Sequence, residues 1–274
     1  MPDRRPRFAL TLTSLLGVLF LLGGCGGPST LQSSAPSAPP TIDGALGEWG
    51  GNLTYVDGEP VSMNVMRTDS LLYVALSTQD RKLIRSVAQN GLIVWVDPTG
   101  GTQRTYGIQY PLGLRAQRAG RRSPQESGAS GSSRPTATFD QLALKELDVI
   151  RQNSTRIRIP AKFSSGLRAQ ATIDRGALVY ELAIPVNAAS GTTTDRRHGL
   201  RSPLGSTIGV GLQTPDPDET RDVQMPNQGV PSVTGRRGNR RGRRGRRQRQ
   251  RRRPTQEADL PTLDLWMRVV TSGS

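Results

Sequence analysis

Ala177-Leu178-Val179-Tyr180-Glu181-Leu182-Ala183-Ile184-Pro185 is the clearest β-strand in the sequence, ended by a proline and preceded by the turn Asp174-Arg175-Gly176. Across that turn stands Ala169 to Ile173. The same period of two recurs along the chain. Val61, Met63 and Val65 alternate with Ser62 and Asn64, and after the turn Thr68-Asp69-Ser70 so do Leu72, Val74 and Leu76, which makes a hairpin. Leu92, Val94 and Val96 run into the turn Asp97-Pro98-Thr99-Gly100-Gly101, and Tyr106, Ile108 and Tyr110 continue as their partner strand. Ile208, Val210 and Leu212 form a late strand and Leu265 to Thr271 the last. Helical spacing is scarce: Phe139 to Ile150 reads as one short helix and Lys82 to Asn90 as another. Eight or more short strands separated by Gly/Pro turns predict an all-β chain, an antiparallel β-sandwich of one domain, with no internal repeat.

Composition agrees. The 274 residues are 34% hydrophobic and 4% aromatic, with 31 Gly and 20 Pro. That is too loop-rich for a helical bundle and too apolar in places for full disorder. One Cys excludes a disulfide framework and a Cys-based zinc site, and one His argues against a His-based triad or metal cluster.

The net charge of +15 alone suggests a polyanion binder. Its placement says otherwise. Arg236 to Arg253 holds 12 Arg in 18 residues and no acid, the first seven residues carry +2, and Gly113 to Pro135 carries +4, which leaves −3 for all the rest. The basicity sits in appendages of a mildly acidic body.

The N-terminus reads as an address. Arg4, Arg5 and Arg7 precede an apolar run of 15 residues, Phe8 to Leu22, too short for the ~20 residues of a spanning helix. Leu22-Gly23-Gly24-Cys25 then resembles a bacterial lipoprotein signal, which implies a signal peptide over 1–24 and acylation of Cys25, a multi-chain anchor in the membrane. Gly26, where that resemblance would put Asp for inner-membrane retention, implies the outer membrane, on its periplasmic or surface side. Arg4-Arg5 with Phe8 also faintly resembles a twin-arginine signal. Residues 25–40, rich in Gly, Ser, Pro and Ala, read as a flexible tether, so the folded body is expected over 41–271. Two insertions interrupt it, 113–135 and the Arg-rich 227–256, both read as disordered surface loops.

The strands now on the page resemble a family. Thr41-Ile42-Asp43-Gly44-Ala45-Leu46-Gly47-Glu48-Trp49 is similar to the opening signature of carbohydrate-binding module family 9-like (CBM9-like) domains. Asp69 to Leu76, Leu92 to Pro98, Ala177 to Pro185, Ile208 to Thr214 and Trp266 to Val269 resemble later elements in the same order. A closer likeness is to lipoproteins of Bacteroidota-type bacteria carrying this module. The resemblance implies a β-sandwich, sugar binding through aromatic faces in some members, and in some a structural Ca²⁺.

The candidate ligand-binding residues are Trp95 and Trp49. Trp95 has the opposite parity to Leu92, Val94 and Val96, so it faces either the other side of its sheet or a cleft. Trp49 belongs to the opening motif, where packing competes with binding. Asp216-Pro217-Asp218-Glu219 is the densest acid cluster, and its D-x-D spacing makes Asp216 and Asp218 the candidates for calcium against a plain solvated turn. Asp43, Glu48 and Asp97 read as turn caps. Without a G-x-S-x-G elbow, an H-E-x-x-H or a phosphate-cradling loop, no enzyme is expected. Arg236, Arg237, Arg240, Arg241, Arg243, Arg244, Arg246 and Arg247 are the candidate polyanion contacts. They lack interleaved aromatics for base stacking, so specific nucleic acid is not expected, and the alternatives are an anionic envelope polymer, a polysaccharide included, or a low-complexity loop without a ligand.

Overall fold

The computed structural model describes residues 29–33, 35–120, 139, 142, 144–152, 155–162, 166–186, 198–215 and 260–271. Twelve strands and two α-helices are formed by these residues. In chain order they are β1 (Ser29–Ser33), β2 (Thr54–Tyr55), β3 (Ser62–Arg67), β4 (Leu71–Thr78), α1 (Arg81–Asn90), β5 (Ile93–Asp97), β6 (Tyr106–Gln109), α2 (Gly113–Gly120), β7 (Glu146–Arg151), β8 (Thr155–Pro160), β9 (Arg168–Asp174), β10 (Ala177–Pro185), β11 (Thr207–Gln213) and β12 (Asp264–Thr271).

The strands form a seven-stranded sheet, β1-β12-β11-β5-β6-β7-β8, and a five-stranded sheet, β2-β3-β4-β10-β9. Every pairing is antiparallel except β1 with β12. The inner faces share one core. Val94, Val96, Ile108, Leu147, Val149, Ile208 and Val210 of the larger sheet pack with Met63, Val65, Leu72, Val74, Leu178, Leu182 and Ile184 of the smaller one. That is a β-sandwich, and strict alternation along each strand builds it.

The expected hairpins form. β3 pairs with β4, β5 with β6 and β9 with β10. At the β9–β10 turn Arg175 (φ 48°) and Gly176 (φ 84°) both take positive φ, as a two-residue loop between right-twisted strands requires. The helix read at Lys82 to Asn90 is α1, whose N-cap Asp80 accepts from the Leu83 N–H at 2.7 Å.

Three expectations need correction. The helix read over Phe139 to Ile150 is not formed: Glu146–Arg151 is β7, with Leu147 and Val149 fully buried at strand spacing. Two adjacent β-branched residues, Val149 and Ile150, suit a pleated surface better than a helix turn. The stretch read as a tether is ordered at Ser29–Ser33, which lies parallel to β12 with Ser29 opposite Met267 and Thr271 opposite Ser33. Ladder hydrogen bonds and burial of Leu31 offset the ordering entropy that composition alone made prohibitive. The insertion read over 113–135 begins as helix α2, which packs on α1 and buries Leu114. The 227–256 insertion lies outside the described residues.

One buried carboxylate closes the outer face of the five-stranded sheet. Glu181, fully buried in β10, accepts the Trp49 indole N–H on Oε1 at 2.6 Å and the backbone N–H groups of Gly44 (2.5 Å) and Asp43 (3.0 Å) on Oε2. Gly44 has φ 91°, and a Cβ there would stand 2.5 Å from the Thr172 methyl, so glycine is required. Trp49 is itself 0% exposed among Met66, Tyr73, Ala75 and Ala183. Burial pushes the Glu181 carboxyl above the usual range against these three donors, and the Asp43 charge adds to the rise. Asp43 caps the Ala45 N–H at 2.8 Å, and Glu48 accepts from the Thr41 N–H, as turn caps should.

Glu181→Ala leaves two buried N–H groups, of Gly44 and Trp49, and the part-buried Asp43 N–H without an acceptor and is expected to cost about 3 kcal/mol or more. Trp49→Phe, which keeps most of the packing and removes one donor, is expected to cost less. Urea unfolding of both variants checks this order.

Candidate functional site

The outer face of the seven-stranded sheet carries both remaining tryptophans. Strand register sets Trp266 (β12), Gly211 (β11), Trp95 (β5), Gly107 (β6) and Ile150 (β7) in one row across the sheet. The glycines are there because the indoles lie over them. A Cβ on Gly107 would stand 2.7 Å from Trp95 Cε3, and one on Gly211 would stand 2.8 Å from Trp266 Cε2. Two strand spacings put the tryptophans about 10 Å apart. Of the two orientations open in the sequence, Trp95 takes the side of its sheet away from the core. It is only 8% exposed, and its N–H donates to Gln213 Oε1 at 2.8 Å. With Ile93, Ile150 and the half-buried Trp266 it forms an apolar cluster of its own. Trp49, the other sequence candidate, offers no face to a ligand, because both its ring and its N–H are used in the Glu181 clasp.

Asp97 organises the turn that follows β5. Its Oδ1 accepts from the Thr99 N–H (2.9 Å) and hydroxyl (2.7 Å), and its Oδ2 accepts from the Gln103 N–H (2.8 Å). Burial acts to raise its pKa, but these bonds, with one from the Gly101 N–H, outweigh burial and hold the carboxyl below its ordinary 3.8. Asp97 is therefore a saturated turn cap, as its place before a proline indicated. Among the described residues no group of three or more His, Cys, Asp and Glu is arranged to hold a metal ion.

A different feature has open chemistry. Where the sheet edges meet, β1 passes close to β3, and a half-open cavity of about 330 Å³ lies between them. Gln32 of β1, Asn52, Leu53, Thr54 of β2 and Asn64 of β3 line it. Asn64 sits on the outward side of β3, opposite in parity to the core residues Met63 and Val65, yet is only 3% exposed. The side chains of Gln32, Asn52, Thr54 and Asn64 make no hydrogen bond to another described residue. The Asn64 amide is not sealed off from solvent without a partner, so it opens onto the cavity. Sequence reasoning missed this set. Gln32 fell in a stretch read as tether, and Asn64 alternated with apolar residues as any solvent-facing strand position does.

The other sequence candidates lie outside the described residues: Cys25, the acid pair Asp216 and Asp218, and the Arg236 to Arg253 run with Arg237, Arg240, Arg241, Arg243, Arg244, Arg246 and Arg247.

Gly107→Ala is expected to displace the Trp95 indole, lowering stability by about 1–3 kcal/mol and shifting the tryptophan emission maximum. For Asp97, whose folded pKa is depressed, the stabilisation is present above pH 3.8 and is lost as pH falls through the lowered value. Acid unfolding of Asp97→Asn should be flatter than wild type in that window.

No protein-family model matches this sequence, and no curated protein matches it. Solved structures do. The chain is similar to a carbohydrate-binding module of family 9 from Caldicellulosiruptor kristjanssonii in complex with glucose, at 11% identity over 69% of this chain and 78% of that one, with a TM-score of 0.31. It is also similar to a putative carbohydrate-binding protein from Bacteroides uniformis, at 11% identity over 68% of this chain and 84% of that one, with a TM-score of 0.34.

Proposed function

We propose that the chain is a non-catalytic, lipid-anchored protein of the bacterial cell envelope, in the outer membrane, whose β-sandwich binds carbohydrate. The observation that carries the sandwich part of this reading is the Glu181 clasp. The opening motif around Asp43, Gly44 and Trp49 and the strand motif around Glu181 are the two most specific pieces of the family resemblance. They lie more than 130 residues apart and meet as one hydrogen-bonded unit. A match of isolated short strings would give no reason for that convergence.

The anchor part rests on Leu22-Gly23-Gly24-Cys25 and the apolar run before it. With Cys25 acylated, the leash is short. β1 begins at Ser29, and four extended residues reach at most about 14 Å. The sandwich then sits at the bilayer surface, with the β1 edge nearest to it.

A second reading is favoured by the 12 arginines of Arg236 to Arg253: the sandwich is a scaffold and the run contacts an anionic envelope polymer. A glycan array at low and high salt, with wild type and a deletion of 236–253, separates the two. Sugar binding that survives both salt and deletion is expected under the first reading. Binding to polyanions in general, lost with salt or with the run, supports the second. No binding in either arm refutes both.

A further inference from the structure

We infer that the cavity between β1 and β3 is a binding site for a single neutral sugar unit, with Asn64 as its buried hydrogen-bonding group; this rests on the carbohydrate-binding reading above and names its site. Three lines of geometry lead there. First, the polar groups are neutral and unused. Asn64, Asn52 and Gln32 each offer two N–H donors and a carbonyl acceptor, and none of these amides is bonded to another described residue. Sugar hydroxyls both donate and accept, so carboxamides match them at either end. No described lining residue is charged, which disfavours an acidic sugar or a phosphate.

Second, the size fits. A volume of about 330 Å³ lies at the small end of the ~300–1,000 Å³ range of small-molecule clefts, which suits one ring and not a long oligosaccharide. Third, apolar surface stands beside the amides. Leu53 lines the cavity. Tyr55 pairs with Ser62 across β2 and β3, so its ring is on the Asn64 side of the sheet, at the diagonal position about 7–8 Å away. At 63% exposure it is the most exposed large hydrophobic residue described, free to lie against the C–H face of a sugar.

The site also depends on β1. Gln32 reaches it only because Ser29–Ser33 is paired onto β12, so the segment that leads to the proposed anchor supplies one wall.

The test is titration of the full mature chain with glucose, galactose, mannose and, as the acidic control, glucuronate, following the side-chain amide resonances of Asn and Gln by NMR. At least one neutral hexose should shift the Asn64 and Asn52 amides, with glucuronate weaker. Asn64→Leu and Asn52→Ala should each weaken that hexose about tenfold, the value of one or two lost hydrogen bonds. Asn52 is exposed, so its variant tests the site even where the Asn64 variant loses stability, and the melting temperature of each reports on folding. Hexose binding that neither variant weakens overturns this site while leaving the carbohydrate reading intact. Tighter binding of glucuronate overturns the neutral class. A chain that binds no sugar in the titration or on the array overturns the site and the reading together.

Discussion

A carboxylate at the centre of a sheet face is costly to bury, and Glu181 is tolerated because three N–H groups converge on it. Two of them are backbone amides at Asp43 and Gly44, which approach only because Gly44 has no side chain. The third is the indole of Trp49. Residues 41–53 are thereby tied across the outer face of the five-stranded sheet, where Ile42, Leu46 and Leu53 pack on Met66, Tyr73 and Ala75. The chain then enters β2 beside β3. The walls of the β1–β3 cavity at Asn52, Leu53 and Thr54 inherit their position from this one clasp.

What was legible in the sequence follows from burial on two sides. β5, β10 and β11 have inward residues of one parity against the core and outward ones against a second layer, so their apolar pattern is strong. The β9–β10 and β5–β6 turns also announced themselves through Gly, Pro and Asp. β1 was not legible because edge strands are held by backbone ladders, to which composition is blind: Leu31 and Ser33 are its only buried residues. β7 was misread because Leu142, Leu144 and Leu147 imitate helical spacing, whereas Leu147 and Val149 decide the packing. β8 buries little beyond Ile159 and leaves almost no pattern.

The charge distribution has a structural counterpart. On the outer face of the seven-stranded sheet three arginines meet partners. Arg158 pairs with the nearly buried Asp148 at 2.8 Å, Arg104 with Asp264 at 2.9 Å, and Arg156 with the Gln109 carbonyl. Exposed pairs of this kind add little stability, but they cancel charge locally. The described residues carry 16 Lys and Arg against 12 Asp and Glu, and the largest excess of arginine lies in Arg236 to Arg253.

Under the carbohydrate-binding proposal two surfaces compete for the ligand, and hydrogen-bond satisfaction separates them. Trp95 looks the better candidate in sequence, since aromatic faces bind sugars. In the fold its N–H is already given to Gln213, its ring rests on Gly107, and 8% of it is exposed. The whole row from Trp266 to Ile150 behaves as a small second core. The cavity inverts each of these properties: its side-chain amides lack partners among the described residues, its most buried member is an amide, and the aromatic ring on the same side, Tyr55, is open. A hydroxyl-bearing ligand in the cavity would meet amides already open to it, whereas a ligand on the indole row would first have to break the packing that holds it.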